Sequence, residues 1–215
     1  MMVNIPLYMK AAQLTIWLAV CGIACSLLIA VFICAFIIYY KINFLKQVVS
    51  GYIELSRNTP LLIQLFFLYY GLPQIGITLS AESCAIIGLS FLGGSYMAES
   101  IRSGLEAVDK IQMESGLSIG LTKPQLLRYI ILPQAISVSI PSLTANAVFI
   151  LKETSVLSAI AIADLMYVAK DIIGMYYKTA EAFTLLILFY LIILLPLSIV
   201  LSKLERRLRY GQFGH

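Results

Sequence analysis

Residues 14–40 read LTIWLAVCGIACSLLIAVFICAFIIYY, 27 consecutive residues without a charge. A helix needs about 20 mostly apolar residues to cross the hydrocarbon core of a bilayer. By length and composition this run is therefore a spanning helix. A secretory signal peptide is the competing account, but its apolar region would be about half as long and would follow a basic segment. Neither condition is met.

The rest of the chain agrees. Over 215 residues it is 60% hydrophobic and only 12% charged, with a mean hydropathy of +0.93, far from the balance of soluble domains. Charges are so sparse that the intervals between them mark further candidate spans at 58–81, 83–102, 133–152 and 182–202. The second is broken at Gly71-Leu72-Pro73 and the third is short. TSVLSAIAIA, residues 154–163, is too brief to span and reads as re-entrant or interfacial. The sequence thus predicts an all-α polytopic membrane protein, a single domain over residues 1–215 with about five transmembrane helices.

Five spans put the termini on opposite sides, and basic residues choose which. With the C-terminus inside, Lys41, Lys46, Arg57, Arg102, Lys110, Lys123, Arg128, Lys203, Arg206, Arg207 and Arg209 are internal. Only Lys10, Lys152, Lys170 and Lys178 are external. The positive-inside rule sends the N-terminus out and the tail into the cytoplasm. The net charge of +4 is then a topology signal and gives no reason to expect nucleic acid. Cys21, Cys25, Cys34 and Cys84 lie in apolar segments, where cysteine acts as a small hydrophobe. The lone histidine is His215, so no His/Cys metal site can be assembled.

Residues 103–132 form the longest internal loop, and they carry helix signals. Asp109 can cap a helix with Gln112 three residues on, and Gly120 suits the left-handed residue that ends it. Thr122 and Gln125 have capping-box spacing, Pro124 falls in the first turn, and Leu121 with Leu126 forms a hydrophobic staple. On pattern alone this helix-turn-helix could lie on lipid as an amphipathic element, or it could meet a soluble partner.

Polar groups at membrane depth are costly and by default raise a functional hypothesis. Asn146, Glu153, Ser155 and Asp164, in and after the fourth span, are the candidate substrate-path residues. Their bland readings are an interhelical bond for Asn146 and interface markers for the acids. Glu99 and Arg102 are spaced for an end-of-helix ion pair, and Arg57 for a snorkelling arginine. The glycines at 93 and 94 permit close helix packing.

The loop spells Glu114-Ser115-Gly116, then Gly120, Ile130 and Leu132-Pro133. It resembles the EAA loop of the membrane subunits of bacterial ABC importers. ELSRNTPLLIQLFFLYYGLP (54–73), SYMAESIRSGLEAVDKIQ (95–112) and LKETSVLSAIAIADL (151–165) are similar to the branch that carries polar amino acids. Members usually have two alanines where Ser115 and Gly116 stand, and glycine weakens a helix by roughly 0.8–1.0 kcal/mol relative to alanine.

The resemblance implies that Glu114, Ser115, Gly116, Gly120, Ile130, Leu132 and Pro133 couple the chain to a cytoplasmic ATPase. This chain has no GxxxxGK[ST] loop, so it would carry no cofactor and no catalytic residue, and its partner would use ATP-Mg. The resemblance further implies two permease subunits, identical or paralogous, two ATPase subunits and an extracytoplasmic amino-acid-binding protein, in the bacterial cytoplasmic (inner) membrane. Two rivals remain at this stage: a small secondary transporter, which would normally show inverted repeats, and a non-transporting membrane interaction subunit.

Overall fold

The structure, a computed structural model, describes residues 4–39 and 43–213. Lys41, Tyr40 and His215 lie outside them, and the side chain of Arg209 is likewise not described. Among the described residues the chain is helical, with no strand. It runs α1 (Ile5–Tyr39), α2 (Asn43–Asn58), α3 (Leu61–Phe66), α4 (Ala81–Glu106), α5 (Lys110–Ser118), α6 (Lys123–Leu126), α7 (Leu132–Glu153), α8 (Leu165–Tyr176) and α9 (Thr179–Phe213).

Among the described residues, four stretches are long and apolar enough to cross a membrane: Ile5–Phe36, Ala81–Glu106, Lys123–Ile160 and Thr179–Arg207. The other apolar helix, Leu61–Ile75, is shorter. It begins as α3, widens into a π-helical turn over Phe67–Gly71, tightens to 3-10 over Leu72–Ile75, and stops at Gly76 with φ +84°. Glycine accepts that left-handed geometry without a Cβ penalty.

Small residues set the packing. α1 and α4 run parallel, with Gly22 against Leu89, Gly93 against Ser26, and Cys34 donating to the Ala98 carbonyl. α4 and α7 run antiparallel, with Gly104 against Ala135 and Ser139, and the Ser100 and Ser142 hydroxyls bonded at 2.6 Å. Without a hydrophobic drive between helices in lipid, such close approach and interhelical bonds hold a bundle together. At one end, Tyr8 donates to the Ala182 carbonyl at 2.8 Å, and Thr15 accepts from the Leu165 N–H. At the other end lie α5 and α6.

Two expectations change. α4 is not short: it continues past Arg102 to Glu106, while the expected pair of Arg102 with Glu99 forms at 2.6 Å in its closing turns and Arg102 also reaches Glu106 at 3.2 Å. Arg57, expected just before the second candidate span, belongs to a helix that the apolar intervals did not mark. It occupies the last turn of α2, and its guanidinium covers the Tyr96 ring of α4 at 5.0 Å.

Candidate functional site

Pro60 divides α2 from α3. Proline supplies no N–H and disfavours helix in the residue before it, so the last carbonyls of α2 need other donors. Side chains provide them. Asn58 donates to Glu54 O at 2.8 Å, Thr59 to Leu55 O at 2.7 Å, and the Gln64 amide to Ser56 O and Thr59 O at 3.1 Å each. The break is therefore a fixed corner.

That corner forms one wall of a cavity of about 370 Å3, with Arg57, Asn58 and Thr59 facing Tyr96 of α4 and Phe149 and Glu153 of α7. The Tyr96 and Phe149 rings are 5.3 Å apart. One guanidinium and one carboxylate thus line a cavity with two aromatic rings, while the Asn58 amide and the Thr59 hydroxyl are engaged on α2 carbonyls. This set complements a small zwitterion: Arg57 can receive a carboxylate, Glu153 an ammonium, and charge-assisted bonds are the strong ones.

Of the four path residues expected from sequence, Glu153 lines this cavity. Asn146 sits behind it, donating to Tyr96 O at 3.2 Å and Ser100 Oγ at 2.8 Å, so it fixes the stretch of α4 that carries Tyr96. Ser155 lies in the 3-10 turn Thr154–Ile160 that follows α7, its carbonyl accepting from Ser158. Asp164 is fully buried and caps α8, accepting from the Tyr167 N–H at 2.8 Å. Burial pushes its carboxyl up to about 6. Its second oxygen has no partner among the described residues.

Sequence reasoning missed Arg57, Asn58, Thr59, Tyr96 and Phe149 as wall residues. The available signal was Arg-Asn-Thr-Pro: a charge and two polar groups immediately before a helix-breaking proline.

The loop end is built as its signals predict. Asp109 accepts from the Ile111 N–H at 3.0 Å. Leu121 N–H reaches Gly116 O at 3.1 Å and Gly120 N–H reaches Leu117 O at 3.0 Å, the paired bonds of a Schellman stop, with Gly120 at φ +83°. The Gln125 side chain accepts from the Thr122 N–H at 2.9 Å, and Leu126 N–H returns to Thr122 O. Gly116 is buried, and a Cβ there would stand 2.5 Å from Leu126 Cδ1 and 2.9 Å from Ile130 Cδ1. An alanine here would need the tips of the Leu126 and Ile130 side chains to shift. Glu114 and Ser115 face outward, with Ile111, Leu117 and Ile119 exposed beside them, while Leu132 and Pro133 open α7.

Residues 22–210 match the family described as binding-protein-dependent transport system inner membrane component. The chain belongs to that family. It is 40% identical over 189 residues to the probable amino-acid ABC transporter permease protein PatM of Vibrio harveyi, covering 86% of this chain and 84% of that protein. It is 31% identical over 207 residues to the glutamine transport system permease protein GlnP of Escherichia coli K12, covering 95% and 94%. A crystal structure of an amino acid ABC transporter with histidines superposes with a TM-score of 0.90 at 35% identity, covering 96% of each chain. The inward-facing MetNI methionine transporter, at 16% identity and a TM-score of 0.78, shares the fold. Membership makes this chain a membrane subunit for transport. The helix-turn-helix and the polar cavity are thus features of a permease.

Proposed function

We propose that the chain is the path-forming permease of an ATP-driven amino acid importer, and that the cavity between the α2–α3 corner and α7 holds the amino acid. The carrying observation is that Arg57 and Glu153, which are distant in sequence, line one cavity. Arg57 receives the α-carboxylate and Glu153 the α-ammonium. Asn146 steadies Tyr96, while Ser155 and Asp164 shape the end of the path beyond Glu153. Two copies, or this chain and a paralogue, enclose the path.

The exposed Ile111, Leu117 and Ile119 with Glu114 form the face that docks a cytoplasmic ATPase, whose ATP-Mg supplies the energy. An extracytoplasmic binding protein delivers the amino acid to the opposite end. The basic asymmetry supports that orientation: Lys110, Lys123, Arg128, Lys203, Arg206 and Arg207 cluster toward the α5–α6 end, while Lys152, Lys170 and Lys178 lie toward the other.

The test is co-purification of the chain with its ATPase, reconstitution into liposomes, and uptake of radiolabelled amino acids with and without ATP and binding protein. ATP-dependent accumulation is the expected result. A complex that hydrolyses ATP but accumulates no amino acid would refute the reading.

A further inference from the structure

A second cavity, of about 670 Å3, lies between α2 and α4 and includes Arg57 but not Glu153 in its lining. Its charged lining comprises Lys46, Glu54 and Arg57 from α2 and Glu99, Arg102 and Glu106 from α4. Its volume falls within the roughly 300–1,000 Å3 usual for ligand sites. On the α4 side the charges are mutually satisfied, because Arg102 holds both Glu99 and Glu106. On the α2 side, Lys46 and Glu54 make no ion pair among the described residues, and the contact that holds Arg57 is the Tyr96 ring face. Arg57 is the charged residue common to this cleft and to the cavity that contains Glu153.

We propose that this cleft is a second station for the zwitterionic amino acid, on the release side, and that Arg57 serves both stations. The proposal rests on the permease reading above. Guanidinium presents five donors in a plane, so one group can hold a carboxylate from either side while its face stays on Tyr96. A shared cation lets the carboxylate pass from one cavity to the next without losing its partner, while the ammonium exchanges Glu153 for Glu54. Lys46, at the start of α2, then offers the carboxylate its next partner toward the α5–α6 end.

The experiment uses the complete transporter, labelled in nanodiscs and assayed for uptake in proteoliposomes, with Ser50→Cys placing a thiol on the cleft wall and a charged thiol reagent measuring its accessibility. The parent protein without Ser50→Cys is the background for the native cysteines. The probe is whichever of the twenty common L-amino acids the same transporter takes up fastest, compared with its decarboxylated amine. The amino acid should slow labelling at least fivefold and the amine should not. Arg57→Gln and Glu54→Gln should each abolish protection. Glu153→Gln should retain protection while weakening uptake, because it belongs to the other cavity. Gln47→Cys, on the same wall, replaces the reporter if Ser50→Cys fails to assemble. Intact uptake with labelling indifferent to the amino acid would overturn the second station and leave the permease reading standing. Absence of uptake by the unmodified transporter would overturn both.

Discussion

The guanidinium of Arg57 lies 5.0 Å from the centroid of the Tyr96 ring, and this contact joins the end of α2 to the middle of α4 at the wall of the polar cavity. The two residues are 39 positions apart, and neither belongs to the loop that identifies the family. The ring supports the cation from one face, and Glu99 is its charged neighbour on α4.

Tyr96→Phe keeps the aromatic face, so uptake should retain its KM within about twofold. Tyr96→Ala removes the face. A cation–π contact is worth roughly 0.5–2 kcal/mol, so KM should rise about 2-fold to 30-fold if Arg57 positions the substrate. Concentration-dependent uptake by the two variants checks this directly, and equal KM values would sever the link between the ring and the site.

Gly104 is the tightest point of the α4–α7 crossing, where an added Cβ would meet the backbone carbonyl of Ala135 at 2.5 Å. Backbone cannot move aside as a side-chain tip can. Gly104→Ala should lower the thermal stability of the purified protein by about 1–3 kcal/mol, the usual cost of overpacking. Gly174 in α8 has nothing within 4 Å of its added Cβ. Gly174→Ala should therefore stabilise, by up to about 1 kcal/mol. Thermal unfolding of the pair in detergent is the measurement.

Much of the α5–α6 end was legible in the sequence because its signals are local. Asp109, Gly120, Thr122 and Gln125 act within one turn of where they stand, and capping chemistry reads them without knowing the fold. The uncharged run of α1 was legible for the same reason. The Glu99–Arg102 pair was legible from its spacing, whereas the true end of α4 and the place of Arg57 in α2 were not, because charges were used as markers of span ends. Inside a bundle a charge can instead face a cavity or pair along its own helix, and only the packing of α2 on α4 reveals which. Asp164 was visible as an acid near the end of a span, but its role in capping α8 depends on a helix start that apolar composition does not mark.

Gly120 at φ +83° ends α5 in a conformation that costs other residues roughly 1–2 kcal/mol. Gly120→Asp should strain that turn and place a charge beside the exposed Ile119. The protein should still reach the membrane, whereas ATPase activity stimulated by the binding protein and amino acid should fall severalfold. Normal stimulation together with normal uptake would remove the loop from the coupling role.

Asp164 links stability to pH. Its folded carboxyl titrates near 6 against about 3.9 when unfolded, so the folded state holds the proton more tightly. Its contribution is therefore fully present below about pH 4 and is lost as pH rises through about 6. Asp164→Asn keeps a capping oxygen and removes the buried charge. The variant should be more stable than the parent at pH 7.5, by about 1–3 kcal/mol, and this advantage should fade toward pH 4. Thermal unfolding across that range checks the sign, and a parallel uptake assay should show KM changed less than about threefold.

If Arg57 and Glu153 together hold the amino acid, as proposed, the KM for uptake in Glu153→Gln and Arg57→Gln transporters, paired with competition by a deaminated analogue, reads it directly. A charge-assisted hydrogen bond is worth roughly 1.5–3 kcal/mol, equivalent to about 10-fold to 150-fold in affinity. The account predicts a rise of that size in each variant. It also predicts that Glu153→Gln alone loses the ability to discriminate the amino acid from its deaminated analogue. An unchanged KM in both variants, with discrimination intact, would contradict it.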